Sequence, residues 1–204
     1  MYTICRFAAA VVFNTIGPVR YIGKENFDAL EAPSIIICNH SSFFDPVIIA
    51  KPLKKYEITF LGKKELASAK LADWFLRKMH MISVDRGNSD MAAMRTCIKA
   101  LRDGQILGIF PEGTRHHEGV MEHIESGVSL IALRSGKPLV PVYINRPYRL
   151  FAKTTCVIGK PIAYDDLIAQ GINKDSAAAL EERIKAVYSG LVKDYPFIEK
   201  KSKK

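Results

Sequence analysis

The chain has 204 residues, of which 48% are hydrophobic and 25% charged, enough apolar material for the core of an ordinary globular domain. Its 30 Lys and Arg residues outnumber 21 Asp and Glu, and the net charge of +9 favours anionic partners: nucleic acid, an acidic membrane surface or phosphorylated substrates. The cysteines form no C-x-x-C pair, which argues against a zinc knuckle or a dithiol redox site and predicts reduced core residues at Cys5, Cys38, Cys97 and Cys156.

The N-terminal run from Phe7 to Val19 carries no charge but is shorter than the roughly 20 residues needed to span a bilayer. Wound as a helix, it has one narrow polar stripe, which is typical of a helix lying in a membrane interface with Arg6 and Arg20 at the headgroups. A core helix and a signal peptide are alternatives, although no small-residue cleavage site follows the run. We therefore expect a membrane-associating helical segment at residues 1–23, one domain at 24–198 and a solvated basic tail at 199–204.

Beyond this segment, short apolar runs alternate with amphipathic stretches. The apolar runs predict strands at 34–38, 57–61, 81–84, 106–110, 139–144 and 154–158, the last on a sheet edge. The amphipathic stretches predict helices at 45–53, 64–79, 90–103 and 127–134, and a final helix that ends before Pro196. The pattern predicts an α/β fold with a mostly parallel central sheet flanked by helices.

Two of these helices have apolar faces that can be read from spacing. The helix after Ser89 is expected to bury Met91, Met94, Ile98 and Leu101, and the final helix is expected to bury Leu180, Ile184, Val187 and Leu191.

The segment from Asn39 to Asp45 lies between the first predicted strand and the helix that follows it. It places His40 at the strand end and a carboxylate five residues later. A buried carboxylate that accepts a hydrogen bond from one imidazole nitrogen fixes the tautomer and leaves the other nitrogen as a base. Since no side-chain nucleophile is evident beside it, the expected task is to activate a substrate hydroxyl. The alternative is a helix start capped by Asn39 or Ser42, against which His40 merely packs.

Charged residues also follow other predicted strands. Ligands of parallel sheets bind outside the carboxyl ends of the strands, so His40, Arg86 and Glu112 are expected at one edge. Lys63 ends a further strand. Taken singly, Lys63 and Arg86 fit solvated loop ends, and Glu112 fits a simple pair with Arg115. Together these residues predict a cationic pocket beside a His–Asp pair, suited to a phosphate-bearing alcohol.

The turn after Phe110 adds a second feature to this pocket. Pro111 ends the strand, and Gly113 allows backbone amides to approach an anion closely. Arg115 can then add a bidentate grip on a phosphate.

These motifs resemble the blocks of the glycerolipid acyltransferase family, and in particular its 1-acylglycerol-3-phosphate acyltransferases. They occur in the family's order across residues 34–145. Asn39, His40 and Asp45 match the N-H-x-x-x-x-D box, and Arg86 matches the arginine that ends a strand. The F-P-E-G-T-R block is matched by Phe110 to Arg115. The proline-centred strand is matched by Val140, Pro141 and Val142, and the F-x-x-K-x-E-L stretch by Phe60, Lys63, Glu65 and Leu66.

The resemblance implies transfer of a fatty acyl group from acyl-CoA or acyl-carrier protein to the sn-2 hydroxyl of 1-acyl-sn-glycerol-3-phosphate (lysophosphatidic acid), giving phosphatidic acid. It implies His40 as general base oriented by Asp45, and no cofactor or metal. It also implies a peripheral or monotopic enzyme at the cytoplasmic face of the cell membrane. The implied substrate-binding residues are Lys63, Arg86, Glu112, Gly113, Thr114 and Arg115, with Glu112 orienting the glycerol or holding Arg115.

Alternatives remain at this point. The acceptor could be another lipid alcohol such as glycerol-3-phosphate, or the chain could be a non-catalytic module that binds anionic lipid. Nucleic acid is a poor candidate partner because no stacking-aromatic motif or reading helix stands out. His116, His117 and His123 form no H-E-x-x-H pattern and are predicted to be surface loop residues.

Overall fold

A computed structural model describes residues 17–63, 81–84, 90–115 and 119–199. Its strands are β1 (Val19–Ile22), β2 (Ser34–Cys38), β3 (Ile58–Lys63), β4 (Met81–Val84), β5 (Ile106–Ile109), β6 (Leu139–Ile144) and β7 (Thr154–Ile158). Its helices are α1 (Lys24–Asp28), α2 (Asp45–Ala50), α3 (Asp90–Arg102), α4 (Ser126–Ser135), α5 (Asp165–Ala169) and α6 (Lys174–Asp194).

The described strands form one sheet in the order β1-β7-β6-β2-β5-β3-β4. The five strands from β6 to β4 in this order are parallel, because each neighbouring pair among them has parallel register. β7 runs antiparallel to β6, and β1 runs parallel to β7. The prediction of an α/β fold with a mostly parallel sheet is therefore confirmed, and the carboxyl ends of β2, β3, β4, β5 and β6 share one edge.

The prediction that residues 154–158 form an edge strand is wrong. β1 pairs with β7 from Val19 opposite Thr154 to Ile22 opposite Val157, so β1 is the edge. β7 is buried at four of its five positions and carries no charge, as suits an interior strand better than an edge. β1 lies inside residues 1–23, so the last part of that segment belongs to the sheet.

The sheet separates two apolar cores, and β2 contributes to both. Ile35 and Ile37 face the core under α3, α4 and α6, whereas Ile36 and Cys38 face the core that includes α2. This alternation follows from the two-residue period of a strand, and an all-apolar strand is what a sheet covered on both faces requires. β2 is thus held from both sides, which makes its carboxyl end a rigid place for a functional side chain.

The apolar faces of α3 and α6 differ in detail from those predicted. Met94, Cys97 and Leu101 form the buried stripe of α3, while Met91, in the first turn, is exposed. In α6 the buried residues include Leu180, Ile184 and Tyr188, and Val187 and Leu191 pack only at the margin of the core. Tyr188 is therefore buried at the place in the helix where the sequence spacing predicted Val187.

Three of the cysteines confirm the prediction of reduced core residues: Cys38, Cys97 and Cys156 are free and buried. Burial raises the pKa of the Cys97 thiol to about 11. Cys5, the predicted helix at 64–79, residues 1–16 of the N-terminal segment and the lysines of the tail lie outside the described residues. Among the helices of the described part, none has both the length and the apolar character needed to cross a membrane.

The Tyr188 hydroxyl connects the neighbouring strands β2 and β6. This buried hydroxyl lies 2.9 Å from the carbonyl oxygens of Ile37 in β2 and Val142 in β6, and its single proton is shared between them. We expect Tyr188→Phe to lower the free energy of unfolding by about 1 kcal/mol, because a buried hydrogen bond is lost without a change in shape. Urea unfolding would measure this, with Tyr195→Phe, on a partly exposed ring, as the control. Equal midpoints for Tyr188→Phe and the wild type would contradict it.

Candidate active site

His40 and Asp45 form a hydrogen-bonded pair beyond the end of β2. The imidazole Nδ1 lies 2.9 Å from Oδ2 of Asp45, whose side chain is fully buried, while that of His40 is 19% exposed. An ionised carboxylate can only accept hydrogen bonds, so Nδ1 carries the proton and Nε2 is left as the basic nitrogen. The spacing that the sequence shows therefore brings the two side chains into contact.

The same carboxylate oxygen also organises the turn between the two residues. Oδ2 of Asp45 accepts hydrogen bonds from the backbone amides of Ser41 and Ser42, each at 2.7 Å. Asp45 is also the first residue of α2, where the helix dipole favours a negative charge. Three donors and a helix start thus hold the anion in place, and the anion in turn holds the imidazole.

The capped-helix alternative does not describe this turn. The residue at the N-cap of α2 is Phe44, which makes no side-chain capping bond. Asn39 instead bonds to β6: its amide nitrogen donates to the Ile144 carbonyl at 2.9 Å, and its oxygen accepts from the Ile144 amide at 2.8 Å. Asn39 thus extends the pairing of β2 with β6 through a side chain and fixes the backbone that carries His40.

Glu112 reaches the pair from the end of β5. It is 5% exposed, and its Oε2 accepts the backbone amide of His40 at 2.8 Å. Its Oε1 accepts the amide of Met121 at 2.8 Å, where the backbone has a φ of 56°. Glu112 therefore ties the backbone of His40 to the segment that returns toward α4. Its implied contacts with glycerol or Arg115 remain predictions.

Aromatic rings cover one face of the imidazole. The rings of His40 and Phe110 stack with centroids 4.1 Å apart and an angle of 24°, and Phe60 stacks on Phe110 at 5.9 Å. With Asp45 in hydrogen-bond contact and Phe110 against its face, the imidazole is oriented from two directions. The stack also keeps water away from one side of the base.

The groups near His40 and Asp45 include the buried thiol of Cys38. Burial, with the charge of Asp45 adding to it, raises the pKa of the Cys38 thiol well above its usual value, so this thiol stays protonated and is a poor nucleophile. Within the described part of the chain, Asp45 is the only side chain that hydrogen-bonds to the imidazole. A role for this pair in proton transfer stays a prediction.

The remaining predicted site residues lie at the same edge where the structure describes them. The backbone of Lys63 ends β3, opposite Val84 of β4. Gly113 has a φ of 68°, which favours glycine, and its amide bonds to the Phe110 carbonyl at 3.0 Å. The other members of the set are Thr114 and Arg115, both exposed in the same turn, and Arg86, which lies outside the described residues.

Of the three loop histidines, the structure describes only His123. His123 is exposed and lies 4.0 Å from Glu125, while His116 and His117 lie outside the described residues. Over residues 17–63, 81–84, 90–115 and 119–199, no three His, Cys, Asp or Glu side chains converge as metal ligands would.

Comparison with known proteins shows the family of this chain. A family model described as "Acyltransferase" matches residues 18–145, which include every block from His40 to Pro141. The chain is 35% identical over 189 residues to the 1-acyl-sn-glycerol-3-phosphate acyltransferase of Bacillus subtilis, covering 90% of this chain and 93% of that one. The chain belongs to the acyltransferase family.

Two further relatives extend the comparison for this acyltransferase. It is 25% identical over 197 residues to the 1-acyl-sn-glycerol-3-phosphate acyltransferase of Streptococcus pneumoniae, covering 93% of this chain and 72% of that one. The crystal structure of the 1-acyl-sn-glycerophosphate acyltransferase of Thermotoga maritima superposes with a TM-score of 0.71 at 21% identity, over 98% of this chain and 80% of that one. The second likeness shows a shared fold.

The contacts of Glu112 suggest a test within this acyltransferase. We expect Glu112→Ala to destabilise the protein by about 2–6 kcal/mol, because two backbone amides lose their acceptor at about 1–3 kcal/mol each. Glu112→Gln keeps one acceptor oxygen and should cost less. Urea unfolding and turnover, measured on both variants, would check the order. A Glu112→Ala protein as stable as the wild type would show that the two amides find other partners.

Proposed function

We propose that the chain transfers a fatty acyl group from acyl-CoA or acyl-carrier protein to the sn-2 hydroxyl of lysophosphatidic acid, giving phosphatidic acid at the cytoplasmic face of the cell membrane. The observation that carries the proposal is the buried Asp45 carboxylate on Nδ1 of His40, which leaves Nε2 as the base. The Bacillus subtilis and Streptococcus pneumoniae relatives are named as 1-acyl-sn-glycerol-3-phosphate acyltransferases, which supports lysophosphatidic acid as the acceptor.

The proposed reaction is a direct transfer in one site. Nε2 of His40 takes the proton of the acceptor hydroxyl, whose oxygen attacks the thioester carbonyl carbon and forms a C–O bond. Collapse of the tetrahedral adduct breaks the C–S bond, and the departing thiolate takes the proton from the imidazolium. Asp45 stabilises the imidazolium while it exists. A positioned base of this kind contributes about 10²–10⁴-fold to the rate.

We assign the acceptor phosphate to three cationic residues that end or follow strands in the sequence, namely Lys63, Arg86 and Arg115. Support comes from the turn after β5: Glu112 at its start contacts the His40 backbone, and exposed Arg115 lies three residues later. We assign Gly113, which has a φ of 68°, and exposed Thr114 to the same substrate site. We further assign residues 1–23 and the lysine-rich 199–204 to contact with an anionic membrane surface.

We expect Arg115→Ala to raise KM for lysophosphatidic acid by roughly 10- to 100-fold, because a hydrogen bond to a charged group is worth about 1.5–3 kcal/mol. The value of kcat should change less, since the phosphate is remote from the reacting carbonyl. Steady-state kinetics with monoacylglycerol, which lacks the phosphate, gives the control, because its use should be unaffected. An unchanged KM for lysophosphatidic acid would remove Arg115 from the phosphate site.

The deciding experiment is a thiol-release assay with lysophosphatidic acid and each of the two thioester donors in turn. Thiol release that requires lysophosphatidic acid supports the proposal, and the preferred donor is read from the same data. Release with glycerol-3-phosphate alone would assign a different acceptor. Binding to anionic vesicles with no thiol release from either donor would make the chain a lipid-binding module.

A further inference from the structure

Four large apolar side chains are exposed in two segments that begin at the sheet edge of the His40–Asp45 pair, and we call them the rim patch: Phe43, Phe44, Leu150 and Phe151. Phe43 is 60% exposed and Phe151 is 86% exposed. The first two lie in the turn before α2, and the last two lie in the loop between β6 and β7. The ring of Phe44 lies 5.2 Å from that of Tyr148, which joins the turn to the loop.

Local backbone rules do not favour two of these side chains where they are. Phe44 occupies the N-cap of α2, where Ser, Thr, Asp or Asn would satisfy a backbone amide and a phenylalanine cannot. Phe151 has a φ of 63°, a backbone conformation that a bulky residue adopts only at a cost. Residues that break local rules without improving the fold are expected at functional surfaces.

The charged residues of the loop that carries Leu150 and Phe151 are all of one sign. Residues 145–153 include Arg146, Arg149 and Lys153 and no acidic residue, and Arg149 and Lys153 are exposed. Aromatic and aliphatic side chains surrounded by cations suit the surface of an anionic bilayer, where the apolar groups enter the acyl boundary and the cations meet headgroups.

Both ends of the described chain join the fold at this same loop. Gly17 lies so close to Tyr148 that a Cβ on it would be 2.2 Å from the tyrosine hydroxyl. The amide of Ile198 donates to the carbonyl of Asn145 at 2.7 Å. Gly17 and Ile198, near the two ends of the described residues, therefore both contact the loop that carries Leu150 and Phe151.

We propose that the rim patch docks on an anionic bilayer, so that a lipid acceptor reaches His40 from the membrane without crossing water. The proposal rests on the proposed function for the identity of the acceptor, whereas docking itself needs no turnover. It commits Phe43, Phe44, Leu150 and Phe151 to the acyl boundary and the exposed cations of the loop to the headgroups.

The test compares two full-length variants in sedimentation with vesicles of phosphatidylcholine and phosphatidylglycerol. Leu150→Gln/Phe151→Asn removes half of the patch, and asparagine tolerates the left-handed backbone at 151. The matched control is Ile172→Asn, which removes a 44% exposed isoleucine in the turn between α5 and α6. We expect the double variant to bind about 100-fold more weakly, at about tenfold for each side chain, and the control to bind as the wild type does.

A second pair of substitutions tests the charges and serves if the first variant fails to fold. Arg149→Gln/Lys153→Gln should weaken binding to the mixed vesicles and leave binding to pure phosphatidylcholine vesicles unchanged. Equal affinity of the wild type and both double variants for mixed vesicles would overturn the proposal. So would unchanged vesicle binding with lost use of acyl-carrier protein, which would assign the patch to that acidic protein.

Turnover of a short-chain lysophosphatidic acid below its micelle concentration separates this proposal from the proposed function. The Leu150→Gln/Phe151→Asn protein should turn it over at the wild-type rate, since no bilayer is involved. A loss equal to the loss on vesicles would place the patch inside the substrate site and overturn docking. A wild-type protein that releases no thiol from either donor, with this substrate or with lysophosphatidic acid in vesicles, would refute the proposed function, while the vesicle affinities would still decide the docking proposal.

Discussion

The His40→Ala protein is expected to lose about 10²–10⁴-fold in kcat while remaining folded. The loss follows because Nε2 is the nitrogen left free to accept the proton once Asp45 has engaged Nδ1. The fold should survive, since β2 is held by two apolar cores and Oδ2 of Asp45 keeps its bonds to the amides of Ser41 and Ser42. The measurement is thiol release at saturating acceptor and donor, with circular dichroism to confirm the fold.

His123→Ala provides the matched control for this substitution. His123 is a histidine of the same chain whose side chain is 71% exposed, and its ion pair with Glu125 spans 4.0 Å. Its removal should leave turnover at the wild-type level. If folded His40→Ala protein released thiol at the wild-type rate, the general-base role of His40 would be untenable, and the acceptor hydroxyl would need another base.

Much of the sheet could be predicted because buried parallel strands leave a strong local pattern. Four strands begin and end where their apolar runs do, and β2 is the clearest of them, with all five residues buried. The edge strand β1 could not be predicted in the same way. It begins at Val19, the last residue of an uncharged run that also suits a membrane helix, and its place depends on pairing with β7, more than a hundred residues away.

In the site, too, contacts between residues close in sequence could be predicted, whereas contacts between distant segments could not. The spacing of His40 and Asp45 predicted their contact, since a short turn joins them. Glu112 was singled out by its block, but its observed bonds go to backbone amides of His40 and Met121. Backbone amides look the same in every residue, so no sequence pattern can point to them.

Two side chains that support the histidine carried no usable signal of their role. The sequence suggests Asn39 as a possible helix cap, but its side chain hydrogen-bonds to Ile144, in a strand that follows much later in the chain. Phe110 begins the F-P-E-G-T-R block, from which no contact of its ring could be predicted, and the ring stacks on the imidazole of His40. Both contacts require the carboxyl ends of neighbouring parallel strands to be adjacent, which the order of the strands in the sheet decides.

The charge of Asp45 can be separated from its hydrogen bonds, because all three bonds go to the same oxygen. In Asp45→Asn, an amide oxygen at the position of Oδ2 can still accept from the imidazole and from the amides of Ser41 and Ser42. The tautomer is then retained and only the negative charge that stabilises the imidazolium is lost. We expect kcat to fall by roughly 10²-fold, which is at most the loss for His40→Ala, since Asp45 acts only through the imidazole.

The new amide nitrogen would occupy the position of Oδ1, which is buried and has no hydrogen-bond partner among the described residues. An unsatisfied buried donor should therefore lower the free energy of unfolding by about 1–3 kcal/mol, and urea unfolding would measure it.

A double variant tests whether Asp45 affects turnover through His40. If Asp45 works through His40, the double variant His40→Ala/Asp45→Asn should be no slower than His40→Ala alone, because the charge has no imidazolium left to stabilise. Multiplicative losses in the double variant would mean that Asp45 acts on the substrate independently of the histidine.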